Sequence, residues 1–380
     1  MFSDFSKKLT DPRSVLVLCS VSGYLFCDGL LLSRNRLLPG QGFPMSFDAG
    51  MALVLASLLV LFLVILFQRH MMIPVIALTS IGAILYSSGI EAGKALELAG
   101  PYARVSTGAG FWVPLSCLML ILIESLFEES YSKKYKLVVM VLAASGFYSL
   151  MNFGVLDSLS LVKEYEQLRS KYWDESFRHL WLASGSSLIS VLLGVPLAWG
   201  ASKSPGFRKP LFYVLNLIQT IPGLAMFSLL MTFIGLLIRK YPFLSDLGIG
   251  AIGWTPAFIA LVFYGLFSVV RTSFAAFDSL QPEHLLAARG VGMSPFESFV
   301  RLELPLAAPG IINGARLTLV VNIGLTTIAS LIGAGGLGSL IFMGLGQAAY
   351  DMVLLGSLTV VAMALMADLL TRILNPYSEK

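Results

Sequence analysis

Long apolar runs alternate with short polar connections along nearly the whole chain. A helix crossing the hydrocarbon of a bilayer needs about 20 mostly apolar residues. Ten runs qualify, at roughly 14–33, 51–68, 72–90, 108–127, 136–154, 178–201, 211–238, 252–272, 306–332 and 352–372. Pro74 and Pro222 interrupt the third and the seventh, breaks that membrane helices tolerate where neighbours satisfy the freed backbone groups. The pattern predicts an all-α, polytopic transmembrane helix bundle of about ten helices. At the start, "MFSDFSKKLTDPRSVLVLCSVSGYLFCDGLLL" sets Lys7, Lys8 and Arg13 before an apolar run the length of a full span. No small-residue cleavage site follows, so this run is read as a retained first helix.

Composition agrees with the pattern. The 380 residues are 56% hydrophobic and only 13% charged, with a mean hydropathy of +0.81. A soluble domain carries roughly 25% charged residues, and the chain has too few to cover a surface facing water. The net charge of +4 says little by itself; placement says more. With the N-terminus in the cytoplasm, Lys and Arg concentrate in the inner connections, such as "SKKYK" and "SKSPGFRKP", while the outer ones are net neutral. Both termini are then cytoplasmic, in a multi-pass membrane protein. Cys19, Cys27 and Cys117 lie in apolar runs without metal spacing and read as small buried hydrophobes.

The chain divides at its longest polar connection, "VLDSLSLVKEYEQLRSKYWDESFRH". Residues 1–154 form a module of about five helices, 155–177 an external amphipathic linker, 178–372 a second module of five helices, and 373–380 a cytoplasmic tail. No internal repeat relates the halves.

Between the eighth and ninth runs stands "HLLAARGVGMSPFESFVRLELP", polar and inside in this topology. Pro282 suits a first helical turn, and Gly292 can end that helix. Ser294, Pro295 and Glu297 then spell a capping box. The segment 282–302 is thus predicted to be two short helices meeting at a corner, with Leu304-Pro305 ending the second. Ala287, Ala288 and Gly292 give the first helix a small-residue surface that another protein can approach closely.

Leu286-Ala287-Ala288, three residues, Gly292, nine residues, Leu302, Glu303 and Leu304-Pro305 resemble the cytoplasmic signature of permease subunits of binding-protein-dependent ABC importers. Leu286 departs from it, standing where that family has a glutamate; Glu283 lies one turn earlier. "NLIQTIPGLAMFSLL" and "IASLIGAGGLGSLIFMGLGQ" resemble segments of the osmoprotectant class, whose substrates are glycine betaine, choline and related compounds. The likeness covers roughly 172–372, and the extra N-terminal helices resemble the long YehY-like form. It implies a MetI-like ABC importer permease core. It also implies a coupling loop at 282–302 that contacts a cytoplasmic ATPase through Glu283, Leu286, Ala287, Ala288, Gly292, Ser294, Glu297 and Pro305. Its other implied partners are a periplasmic substrate-binding protein delivering to external loops that include 333–351, and a second permease subunit, as a homodimer or heterodimer. No P-loop is present, so the chain binds no ATP directly and hydrolysis falls to the partner; no cofactor is expected.

Other signals read as structure. Gly333, Gly335 and Gly338 match a dinucleotide-binding spacing but follow a membrane helix, and so read as a turn for close packing. His70, His179 and His284 do not cluster, and neither a metal site nor a catalytic set is expected. Asp28, Glu124, Arg316 and Asp368 are ionisable groups within predicted spans. Thr318, Asn322 and Thr326 share a helix face with four-residue spacing. With Arg316, that face either lines a translocation path or packs on a second permease. Gln219, Thr220 and Pro222 either place backbone groups at that path or form a simple kink.

The reading is a permease subunit of an ATP-driven importer for an osmoprotectant such as glycine betaine, with no role for nucleic acid. The alternatives are an importer permease for an amino acid such as methionine, and an ion-coupled secondary transporter. An intramembrane enzyme would want a clustered catalytic set, which the sequence lacks.

Overall fold

The computed structural model describes residues 11–35, 38, 40–43, 48–100, 102–128 and 130–374. Lys7, Lys8 and nearly all of the expected tail at 373–380 lie outside the described residues. The chain forms two compact units, one of residues 1–167 with 347–351 and the other of 168–346 with 352–380.

In the first unit, α1 (Pro12–Phe26), α2 (Ala49–Leu66), α3 (Ile73–Ala99) and α4 (Ala109–Phe127) pack as a ring, α1 on α4, α4 on α3, α3 on α2 and α2 on α1. The first span is shorter than its expected 14–33. It ends at Phe26, and Leu30–Ser33 instead forms strand β1. The chain turns at Asp28 and Gly29, whose carbonyls accept the N–H groups of Gly110 and Gly108 at 2.8 and 2.9 Å. β1 pairs antiparallel with β2 (Gln41–Phe43) and β3 (Arg104–Thr107), a small sheet that the apolar pattern concealed. Asp28 therefore lies in a turn, not in a span.

Pro74 does not break the third span: it sits in the first turn of α3, where its missing N–H costs nothing. Asp48 caps α2 by accepting from Gly50 and Met51, and also receives Lys94 from α3 at 2.7 Å. The Lys94 ammonium holds the Asp48 carboxyl down to about 2. Glu124 pairs with Arg13, which also reaches Glu128. Cys19 and Cys27 are exposed rather than buried. Of α5 (Lys133–Asn152) only Val139 is buried, and α6 (Ser160–Gln167) follows it.

The second unit opens with α7 (Arg169–Lys203), 35 residues and so about 50 Å long. Residues 169–177 of the expected linker belong to this helix. Next come α8 (Pro205–Thr220), α9 (Gly223–Lys240) and α10 (Trp254–Asp278). After them stand α11 (Pro282–Gly290), α12 (Pro295–Ser298), α13 (Leu304–Ala329), α14 (Gly338–Gly346) and α15 (Tyr350–Leu374). The seventh span is thus two helices. Pro222 cannot donate to the preceding turn, and Tyr264 Oη donates to the Ile221 carbonyl at 2.5 Å, holding the break open. Among the described residues nine helices are long and apolar enough to cross a membrane; α1 is apolar but shorter.

The core of this unit is the mutual contact of α7, α10 and α13. In lipid, helix association depends on close packing and interhelical hydrogen bonds. A Cβ at Gly265 would lie 2.4 Å from Ser190 Oγ, and one at Gly314 would lie 2.1 Å from Thr272 Oγ1, so only glycine lets these helices approach so closely.

Candidate functional site

The corner at 282–302 is built as its residues demand. α11 ends at Gly290, and Gly292 takes a left-handed φ of +80° with open space where a Cβ would stand. Ser294 Oγ accepts the Glu297 N–H at 3.3 Å, and the Glu297 carboxylate accepts the Ser294 N–H at 2.9 Å, which is the complete capping box. The Ser294 backbone N–H holds the Glu297 carboxyl below the usual carboxylate range.

One expectation fails here. Leu304-Pro305 does not end the second helix. A π-helical turn, Phe299–Glu303, carries it into α13 without interruption. The Leu304 N–H reaches back to the Phe299 carbonyl, and Pro305 falls in the first turn of α13, where no N–H is required.

Of the residues expected to contact an ATPase, Glu283, Leu286, Ala287, Gly292, Ser294, Glu297 and Pro305 are exposed, and Ala288 alone is buried. Leu286 is 63% exposed, Val291 74% and Phe296 72%, giving the polar corner three outward apolar side chains.

The residues of the suggested path stand in three settings. Gln219 and Pro222 are exposed at the break between α8 and α9. Arg316 on α13 pairs with Asp368 on α15 at 3.2 Å and donates to Asn313 at 2.9 Å. Thr318, Asn322 and Thr326 are fully buried between helices of their own unit. Asn322 Nδ2 donates to Ser186 Oγ at 2.9 Å and Ser187 Oγ at 3.1 Å, and Thr318 Oγ1 donates to the Gly265 carbonyl at 3.1 Å. Arg316, Asn322 and Thr326 are on one helix, and a Cβ at Gly223, next to Pro222, would lie 3.5 Å from Leu325 of that helix.

A second constellation was not read from the sequence. Gly333, Gly335 and Gly336 have positive φ, and one turn of α7 grips this loop. Glu175 Oε2 accepts the Gly336 N–H at 2.5 Å, and His179 Nδ1 accepts the Leu337 N–H at 3.3 Å. The proton of His179 is then on Nε2, donated to the Ile323 carbonyl at 2.9 Å. A Cβ at Gly338 would lie 2.0 Å from the Thr327 carbonyl oxygen. The local signals were the four-residue spacing of Glu175 and His179 and the glycines that read as a close-packing turn; nothing local paired the two.

Comparison with known proteins follows the same division. The model of the ABC transporter permease YehY N-terminal domain matches residues 11–162. The osmoprotectant import permease protein OsmW of Salmonella typhimurium is 35% identical over 193 residues, covering 51% of this chain and 85% of that protein. The glycine betaine/carnitine/choline transport system permease protein OpuCD of Bacillus subtilis is 31% identical over 221 residues, covering 57% and 90%. An inward-facing structure of the MetNI methionine ABC transporter aligns with a TM-score of 0.47 at 19% identity, over 54% of this chain and 95% of that one. The model for the inner membrane component of binding-protein-dependent transport systems matches residues 190–379, half of the 380-residue chain, with α10, α13 and the last 14 residues of α7 inside the match. By that match the chain belongs to the binding-protein-dependent transport system inner membrane components.

Proposed function

We propose that the chain is the permease subunit of an ATP-driven importer whose substrate is an osmoprotectant of the glycine betaine and choline class. Relatives named for osmoprotectant, choline and glycine betaine transport support the substrate class. The observation that carries the coupling role is the corner at 282–302, where Leu286, Val291 and Phe296 stand outward around the left-handed Gly292. In this reading the corner is cytoplasmic, as are both termini, and it docks on a separate ATPase. Closure of the ATPase pair on ATP shifts the corner, and the helices of the second unit switch between inward- and outward-facing states. A periplasmic binding protein delivers substrate at the opposite face, and a second permease completes the path. Hydrolysis belongs to the ATPase, and this chain holds no cofactor of its own. The residues 1–154 are an added membrane module, joined to the permease core through 155–168.

The test is co-purification with the candidate ATPase, using Gly292→Trp. Beyond the glycine and its chain neighbours, nothing lies within 4 Å of the site of the new Cβ, so a side chain has room to leave the backbone there, and the strain of a positive φ costs roughly 1–2 kcal/mol. Loss of ATPase binding and of ATP-dependent uptake is expected. Assembly and uptake at the wild-type level would sink the docking reading. Glycine betaine retained by the partner binding protein supports the substrate; an amino acid retained there replaces it.

A further inference from the structure

The corner at 282–302 is free at one end and held at the other. In α11 only Ala288 is buried. Glu303 closes the π-helical turn at the other end and is 3% exposed. Its Oε2 accepts from Lys203 Nζ at 2.6 Å and from Trp199 Nε1 at 3.0 Å, both on the last turn and a half of α7, and its Oε1 accepts from Ser298 Oγ at 3.2 Å. Phe299, at the start of the same turn, leans on the Trp199 ring with centroids 4.7 Å apart and on Phe277 at 6.1 Å.

A carboxylate leaves water only where its charge and lone pairs are met. Here one acid satisfies a cation and an indole on α7 and a hydroxyl on the corner, so the joint resists shear between the two. The apolar ring contact beside it resists separation but tolerates sliding, having no direction of its own. The π turn adds a wider, less regular ring of hydrogen bonds at the place where a displacement would enter. Farther along α7, Ser186 and Ser187 hold Asn322 of α13. A shift delivered at Glu303 is thus passed along one long helix into the buried contact of the unit.

We propose that Glu303 is a positioning residue that couples movement of the 282–302 corner to α7 through Lys203 and Trp199. The inference rests on the reading that the corner docks on an ATPase.

The test uses the purified permease–ATPase complex in lipid, with hydrogen–deuterium exchange followed in peptides covering 282–302 and the Trp199–Lys203 turn, with and without ATP and vanadate. ATP is expected to change exchange in both segments of the wild type. In Glu303→Gln the corner still responds, while the response of the α7 turn falls to less than about half and uptake of radiolabelled glycine betaine falls about tenfold, equivalent to roughly 1.4 kcal/mol of coupling. Trp199→Phe keeps the ring and every charge but removes one donor, and gives a smaller loss in the same segment. It carries the test if Glu303→Gln fails to insert. The exchange of Glu303→Lys with Lys203→Glu restores at least part of the α7 response, a rescue that a residue needed only for packing would not give. A full α7 response in Glu303→Gln and Trp199→Phe overturns the proposal. An ATPase that binds the wild type without any response at 282–302, or that does not bind, overturns the docking reading instead.

Discussion

The two ends of α7 are both fastened by an acid, in opposite ways. Near its start, Glu175 and His179 take the backbone N–H groups of Gly336 and Leu337. Near its finish, Lys203 and Trp199 give their donors to the side chain of Glu303. The first fastening joins one helix turn to a backbone that only glycine can bring so close. The second joins side chains, and one of them, Lys203, is 40% exposed. Backbone groups fixed in a turn have little freedom to exchange partners, whereas an ammonium at the edge of water does. The difference suits a fixed pivot at one end and a transmitting joint at the other.

Five substitutions would break or sharpen that contrast. The largest effect belongs to Lys203→Met, which strands the buried Glu303 charge and should cost about 3 kcal/mol, read as lost thermal stability in detergent. Glu303→Gln should cost less, since the cation it abandons can turn to water. At the pivot, His179→Ala leaves the Leu337 N–H without its partner and takes from the Ile323 carbonyl the bond it accepts besides that of its own helix, a loss of roughly 2 kcal/mol by the same measurement. Equal costs at the two ends would remove the distinction between them. Asn322→Ala deletes two bonds between α13 and α7, and polar contacts between membrane helices average only about 0.6 kcal/mol. The loss is smaller still because Asn322 Oδ1 has no partner among the described residues. Least of all, Leu286→Glu should leave stability within about 0.5 kcal/mol, because the side chain is 63% exposed. It should instead tighten retention of the ATPase on the immobilised permease; unchanged retention would show that Leu286 does not touch it.

Much of this chain is legible from its pattern. The long apolar runs became helices, the break at Pro222 is where the seventh run divides, and Ser294 and Glu297 form the capping box their spacing announced. Those features depend on neighbours one or two turns away. The misreadings share one cause. "LLLS" continues an apolar run and reads as helix until Arg104–Thr107, far along the chain, takes it as a strand. Pro74 looks like an interruption until the helix is seen to start beside it. Leu304-Pro305 looks like a stop, and nothing local signals the π turn that carries the chain through.

The candidate site shows the same limit. Asn322 and Thr326 share a polar face, and periodicity found that face without saying what it meets. Arg316 and Asp368 were each marked as costly in a membrane, and only the fold pairs them. What the sequence by itself determined is the set of elements and the polar corner between two of them, because helical spacing and capping act over three or four residues. What only the tertiary structure decided is which polar groups meet. Glu303 finds Trp199 across 104 residues, Asn322 finds Ser186 across 136, and Glu175 finds Gly336 across 161. In an apolar medium such groups must find partners, and no local pattern says which ones.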